Sequence, residues 1–331
     1  MDAIQYTAPG RLHVTQLDTP RAGDGCVLVE TAACGLCHTD IDVLHGRYGD
    51  GTFPLVPGHE YAGTVVEVGE GVSGLATGDR VVVDPNRSCG TCRACLRGRA
   101  NLCAHLQAYG VTENGGFARY SRVGADNVHR IGDMPFDIAA LAEPLGCVLN
   151  GVGMIETAGA RDALVFGAGP IGLLMALALV DAGVPDVSVV DIDEGRLRNV
   201  ESLGLTPIVS GSDRLTERAR SLDIVVDATG AIGVVQGLVD LAANGGSVLL
   251  FGVCSPDSRV SFSPFELFRR QIRVAGSHSL NHNIPEALGV LERSGETMGR
   301  VISHRLPLKD IAPFLSGGGE PGSMKVQYVV G

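Results

Sequence analysis

Positive charge is scarce in this chain. Among 331 residues, 26 Lys and Arg stand against 37 Asp and Glu, a formal net charge of -11. No broad cationic surface is left to neutralise phosphates, which argues against nucleic acid or an anionic membrane as the main partner and for a small molecule. No secretory signal is visible either: "MDAIQYTAPG" has neither a basic n-region nor an apolar h-region, so the expected location is the cytoplasm, where disulfides are rare. One long uncharged run exists, "ALVFGAGPIGLLMALALV" from Ala163 to Val180, bounded by Asp162 and Asp181. It approaches the length of a minimal membrane span. Gly167, Gly169 and Gly172 break it after a four-residue strand-like start, so a buried strand, turn and helix is expected instead. There is no internal repeat, and the only low-complexity tract is "SGGGEPG", which reads as a surface loop.

What is present is a globular and turn-rich composition, with 45% apolar residues, 19% charged residues and 46 glycines. The length exceeds one ordinary core and suits two domains. Up to about residue 145 the sequence reads as short β segments such as "CVLVETAAC", "GTVVEVGEGV" and "GDRVVVDP". From Ala163 apolar strands alternate with helical stretches: "ALVF", a helix to about Ala182, "VSVVD", "EGRLRNVESLG", "DIVVDAT", a helix over "AIGVVQGLVDLAAN", "SVLLFG" and "IRVAGS". That alternation is the signature of a parallel, doubly wound sheet, hence an α/β protein. The last forty residues change texture again, with strands over "GRVISHRLPLKD" and "SMKVQYVVG" and a short helix over "IAPFL".

Two groups of residues point to chemistry. In "ALVFGAGPIG" the glycines Gly167, Gly169 and Gly172 follow an apolar strand and precede a helix that starts at Pro170 and Ile171. This is a dinucleotide-binding pattern: one glycine for the turn, one for approach of the pyrophosphate, one for helix-strand contact, with the helix N-terminus facing the phosphates. Asp191 ends the next strand, where a carboxylate takes the ribose hydroxyls and repels a 2'-phosphate, so NAD is expected over NADP. Arg196 and Arg198 nearby work in the opposite sense. The second group is "SCGTCRACLRGRANLC", which puts Cys89, Cys92, Cys95 and Cys103 within fifteen residues. Taken alone it admits disulfides, a redox couple or a metal site.

The motifs "GLCHTD", "GHEYAGTVVEVGEGV", the four-cysteine stretch and "GAGPIG" occur in the order and approximate spacing of the zinc-dependent medium-chain dehydrogenases, the alcohol and polyol dehydrogenase family. The chain resembles that family over essentially its whole length. The resemblance implies a GroES-like, mainly β catalytic domain over residues 1–147 and 291–331, around a Rossmann domain over 148–290. It implies Cys37 and His59 as catalytic zinc ligands. Ordinary alcohol dehydrogenases place a cysteine at the third ligand position, where this chain has Glu143 in "LAEPLGCVLNGV"; Cys147 reads as a packing residue. "EPLG" resembles the sorbitol and threonine dehydrogenase branch, in which the glutamate beside the histidine, here Glu60, can also bind zinc. Glu60 and Glu143 are therefore competing ligands. A carboxylate in place of a thiolate suits an open zinc site.

In the implied reaction zinc lowers the pKa of a substrate hydroxyl and hydride passes to the nicotinamide. Thr39 matches the family's proton acceptor and Asp40 the residue that orients the ligand histidine. Both also suit an N-cap at a helix start. Asp42 or His45 would continue the relay. His38 and Lys325 resemble cations near the pyrophosphate, while Gly252, Val253 and Ser277 fall where the family's backbone meets the nicotinamide, mostly in core strands. The four cysteines resemble the ligands of a structural zinc, giving two zinc ions per chain, one of them catalytic. Carboxylate ligation points to a secondary hydroxyl of a polyol, sugar alcohol or cyclitol, with simple alcohols as the alternative. Family members are homodimers or homotetramers. Three rival readings are a catalytically inactive nucleotide-binding sensor, a zinc module for nucleic acid, and thioredoxin-like chemistry at Cys34 and Cys37. The first lacks a missing ligand to support it, the second the charge, and the third a βαβ context.

Overall fold

In the computed structural model, which describes residues 1–49, 51–320 and 322–330, the chain forms two compact units. One comprises Met1–Pro144 and Leu280–Gly331, the other Leu145–Ser279.

The second unit is contiguous in sequence. Six parallel strands run in the order Thr206–Val209, Asp186–Asp191, Asp162–Phe166, Leu222–Asp227, Ala242–Leu250, Arg273–Gly276. The first strand in sequence lies in the middle of the sheet, with the second on one side and the fourth on the other. This is the doubly wound order, and it opens a crevice at the carboxyl end of the first strand, where ligands of such sheets bind. The strand cores are continuous apolar runs because both faces are covered; Leu164, Val190, Val225 and Val248 are all buried. The membrane-like run resolves into the strand Asp162–Phe166 and the helix Pro170–Asp181. That helix is apolar on all sides because it is buried, from Gly172 to Leu179 without a break. Among the described residues no helix is long and apolar enough to cross a membrane.

The helix expected over "AIGVVQGLVDLAAN" is interrupted. Ile232–Val235 and Leu238–Leu241 are separate short helices, and Ala242 already begins a strand. Gly237 sits at the break, where glycine's low helix propensity favours interruption.

The first unit is built on a mixed sheet. Ile302–Leu306 runs parallel to Lys325–Val329, which pairs antiparallel with Cys26–Gly35, and Glu60–Val68, Arg80–Val83 and Val128–Arg130 follow in turn. Ile4, Val29, Tyr61, Phe117, Ile311 and Leu315 belong to its core. The register is what assembles the site. Gly35 stands opposite Gln327 on one side and Glu60 on the other. The Leu36 amide donates to the Val326 carbonyl, so one further step brings Lys325 level with Cys37.

The chain returns to this unit earlier than the expected boundary at 290/291. The helix Ile284–Met298 belongs here, because it packs on the helix Phe136–Ala139. Gly295 and Gly299 bring its backbone so near Ile138 that an added Cβ would lie 3.0 and 2.4 Å from that side chain. The forward boundary falls between Pro144 and Leu145, inside the helix Ala142–Val152, rather than at 147/148.

Candidate active site and metal centres

Cys37 ends the strand region and caps the helix His38–Leu44. It, rather than Thr39 or Asp40, is the N-cap residue. Asp40 occupies the third helical position and turns back, its Oδ2 accepting from the Cys37 amide at 2.9 Å. Its Oδ1 accepts from the Gly58 amide at 3.0 Å and lies 3.3 Å from His59 Nδ1. Asp40 is fully buried, and the Tyr6 hydroxyl donates to its carbonyl at 3.1 Å. One carboxylate thus buckles the Cys37 segment to the His59 segment, and His59 turns Nδ1 toward it as a close charge contact and not an aligned hydrogen bond, which leaves Nε2 as the nitrogen for a ligand. Gly58 makes this possible. Its φ is +92°, and a Cβ there would lie 2.7 Å from Cys34 Sγ and 2.7 Å from the Phe117 ring.

Ligand atoms of Cys37, His59 and Glu60 all lie within 4.8 Å of one another. A thiol, an imidazole and a carboxylate are the donor types zinc takes, at bond lengths that place ligands about 3.3 to 3.8 Å apart. The electrostatics agree. Burial pushes the His59 pKa down, yet Asp40 and Cys37 more than offset this and hold it well above its ordinary value. A buried pocket that favours a protonated imidazole is one that favours positive charge. Glu143 is also buried, in the first turn of Ala142–Val152. It stands outside the 4.8 Å cluster, although its charge helps raise the pKa of Lys325.

Lys325 requires a correction. Expected near the pyrophosphate, its ammonium is 3% exposed and donates to both Glu60 oxygens, at 2.7 Å each, and to the Leu36 carbonyl at 3.1 Å. Those are three acceptors for three N–H bonds, so none remains for a phosphate. Glu60 and Lys325 are 265 residues apart, and no local pattern announces the pair.

Thr39 is half-buried, with its hydroxyl 3.6 Å from Cys37 Sγ. Beyond it, Asp42 is held by Arg47 at 2.8 and 2.9 Å. His45 is exposed and turns Nδ1 to the Ile41 carbonyl at 2.8 Å. His38 is exposed, 3.8 Å from Asp42.

The four cysteines converge as a second cluster, every sulfur within 4.8 Å of the others. Cys92 Sγ lies 3.5 Å from Cys95 Sγ and 3.9 Å from Cys103 Sγ. Those separations exceed a disulfide bond and match the edges of a tetrahedral thiolate shell, about 3.8 Å. Amides of Cys89, Cys92 and His105 point at the sulfurs of Cys103, Cys89 and Cys103, each at 3.3 Å. Donors at Thr91, Cys92 and Cys103 bring the Cys89 thiol down to about 5. Cys92 is lowered as well, whereas burial and the neighbouring sulfurs push Cys95 up to about 11, so the amides favour some of the thiolates and four together call for a cation among them.

In the contiguous unit, Gly167 turns with φ +105° and Gly169 caps the helix that begins at Pro170 and Ile171. A Cβ on Gly172 would lie 1.8 Å from the Gly167 carbonyl, so close contact between loop and helix explains that glycine. Gly169 differs: its φ is an ordinary -74° and a Cβ would meet no protein atom within 4 Å. Nothing in the protein demands glycine there, whereas a pyrophosphate over the helix N-terminus would. Asp191 Oδ2 accepts from the Ala168 amide at 2.7 Å and Oδ1 from the Asp193 amide at 2.9 Å, tying the strand end to the glycine loop. Arg196 is half-buried in the following helix, and its Nε has no hydrogen-bond partner.

Val253 is not in a core strand as expected. Its strand ends at Leu250, and Val253 is 93% exposed. Gly252 backs onto the turn at Gly230, and the Ser277 hydroxyl accepts from Asn150 Nδ2 at 3.3 Å.

Gly172→Ala is expected to force the helix start away from Gly167 and weaken NADH binding, read by nucleotide fluorescence, by about tenfold or more, since a small displacement of an orienting group has that scale of effect. Unchanged affinity in a folded variant would refute the phosphate-cradle reading.

Residues 23–133 match the alcohol dehydrogenase GroES-like domain and residues 170–293 the zinc-binding dehydrogenase domain. The chain is 53% identical over 336 residues to D-altritol 5-dehydrogenase of Agrobacterium fabrum, covering 99% of each. It is 32% identical to D-arabinitol dehydrogenase 1 of Uromyces fabae, over 92% of this chain and 90% of the other. Among solved structures, a protein described as a zinc-binding dehydrogenase from Sinorhizobium meliloti, bound to NADP, superposes with a TM-score of 0.94 at 32% identity, covering 99% of both chains.

Proposed function

The chain belongs to the zinc-binding alcohol dehydrogenase family with a GroES-like domain, and from that premise we propose that it oxidises a secondary hydroxyl of an acyclic polyol to the ketone, with NAD as acceptor. The observation that carries the reading is the convergence of Cys37, His59 and the Glu60 carboxylate in front of a buried Asp40 buckle. The polyol class is supported by the 53% identity to an altritol dehydrogenase.

The bound groups would supply Lewis acidity from zinc and a hydride acceptor from the nicotinamide. The chain's own residues do the rest. Cys37, His59 and a carboxylate, Glu143 or Glu60, hold the catalytic metal, and Asp40 orients His59. Thr39 Oγ, beside Cys37, would accept a hydrogen bond from the substrate hydroxyl and, as that proton is transferred to it, release its own hydroxyl proton to solvent. Cys89, Cys92, Cys95 and Cys103 hold a second, structural zinc with no position open to substrate. The backbone amides at Gly169 to Gly172 receive the pyrophosphate. Asp191 takes the ribose hydroxyls and disfavours a 2'-phosphate, which makes NAD the cofactor rather than NADP. The enzyme works as a homodimer or homotetramer.

A rate screen tests this. D-altritol or D-arabinitol with NAD should exceed ethanol or benzyl alcohol in kcat/KM by about a hundredfold or more, because a site built to bind several hydroxyls rejects substrates that lack them. A preference for the simple alcohols would overturn the substrate class, and equal rates with NADP would overturn the role of Asp191.

A further inference from the structure

Asp227 is a fully buried carboxylate with no part in the chemistry described above. It ends the strand Leu222–Asp227, level with Phe166 in the ladder and so beside the glycine turn. Burying a charge is costly unless hydrogen bonds meet it. Here they come from the loop that follows the strand. Oδ1 accepts from the Thr229 amide at 2.9 Å and from the Thr229 hydroxyl at 2.5 Å, and Oδ2 accepts from the Gly230 amide at 3.1 Å. The Thr229 hydroxyl in turn accepts from the Ala231 amide at 3.0 Å. Through its main chain Asp227 also holds the loop after the neighbouring strand, its carbonyl accepting from the Phe251 and Gly252 amides at 3.0 and 2.8 Å.

Three loops at the carboxyl edge of the sheet are thereby fitted to one another. A Cβ on Gly252 would collide with the Gly230 amide and lie 2.7 Å from Asp227 Oδ2, and one on Gly167 would lie 3.1 Å from Thr229 Cγ2. Ligands of a doubly wound sheet lie across this edge at the switch point. Asp191 ends the strand on one side of the first strand, and Asp227 ends the strand on the other. With the adenosine ribose at Asp191, the loops on the Asp227 side face the other half of the dinucleotide. We propose that Asp227 is a positioning residue for the nicotinamide half of the cofactor, acting not by contact but by fixing the loops 228–231 and 251–253 against which that half is laid. The inference rests on the dinucleotide reading above. It requires a carboxylate, because three donors converge on its two oxygens and the NH2 of an amide side chain would face at least one of them.

The test uses the full-length protein and two ligands, NADH and AMP, the second being the adenosine half alone. Dissociation constants come from calorimetry, loop order from amide exchange, and folding and stability from circular dichroism and the urea midpoint. Asp227→Ala and Asp227→Asn should each raise the Kd for NADH by about tenfold or more, the scale on which a misplaced orienting group acts. Both should leave AMP binding unchanged while exchange quickens at residues 229–231 and 251–253. A purely structural carboxylate would lower the urea midpoint and weaken the two ligands alike or neither. Folded variants with unchanged NADH affinity would overturn the proposal, as would an equal loss for NADH and AMP. If neither variant folds, Thr229→Val decides, since it removes one donor to the carboxylate and keeps the side-chain shape: a loss confined to NADH supports the proposal, and no such loss overturns it. Failure of the dinucleotide reading shows separately, as unaltered protein that binds neither ligand, and the proposal then falls with it.

Discussion

Asp40→Ala should lose catalytic metal and stability together. Two backbone donors, the Cys37 and Gly58 amides, would lose their acceptor, at about 1–3 kcal/mol for each buried group left unpaired. His59 would lose the neighbour that fixes its ring. Outer partners of this kind contribute about 10–100-fold in metal affinity or activity. With both segments unbuckled, kcat/KM should fall by about a hundredfold or more, at the upper end of that range. Asp40→Asn separates the contributions, since its amide oxygen can still accept from one amide while its NH2 opposes the other. The measurements are zinc content after dialysis, urea midpoint and kcat/KM. A stable Asp40→Ala enzyme with full zinc would show that the buckle has no such role.

The second large effect is expected at the cysteine lobe. Little apolar burial holds this segment together: Leu96 is 75% exposed and Leu102 48% exposed. Asn281 is its main anchor, accepting from the Ala100 amide at 2.9 Å and donating to the Gly98 carbonyl at 2.9 Å. Structural zinc in small peptides stabilises them by roughly 10–16 kcal/mol, and a lobe with so small a core depends on its metal in the same way. Replacing Cys92 and Cys95 by serine should reduce zinc from two ions per chain to one. It should also raise amide exchange over residues 89–103 by several powers of ten and open Arg93, Arg97 and Arg99 to trypsin. Two ions retained, with exchange unchanged, would refute the assignment.

These two centres differ in how far the sequence reveals them. The cysteine lobe was legible as a cluster because its four sulfurs are close in sequence, while its meaning as a metal site came from the family resemblance, since spacing alone leaves disulfides and a redox couple open. The glycine loop was legible for the same reason, as strand, turn and helix N-terminus are contiguous. The catalytic cluster depends on register between strands from three distant parts of the chain. Its motifs could be found by resemblance, yet the partner of Glu60 could not. Lys325 in "SMKVQYVV" looks like an ordinary surface lysine, and only its pairing level with Cys37 buries it. The boundary at Leu280 was hidden for a tertiary reason as well. The face of Ile284–Met298 that meets Ile138 decides which unit it joins, and nothing in its own periodicity names that neighbour. The break at Gly237 was visible as a glycine, but a single glycine in an apolar helical pattern does not fix where a helix stops.

The insertion of one unit within the other has a kinetic side. Leu145–Ser279 is a contiguous stretch, so every pairing of its parallel sheet is available once that stretch has been synthesised. The sheet that seats the proposed metal site closes only when Gln327 pairs with Gly35, across nearly the full chain. Contacts of such sequence separation form slowly. Until then Glu60 has no ammonium beside it, and the site in a half-folded chain is more acidic than the one in the finished protein. A metal captured before that pairing would meet Glu60 without its ammonium, and one captured after it would meet a Glu60 already engaged.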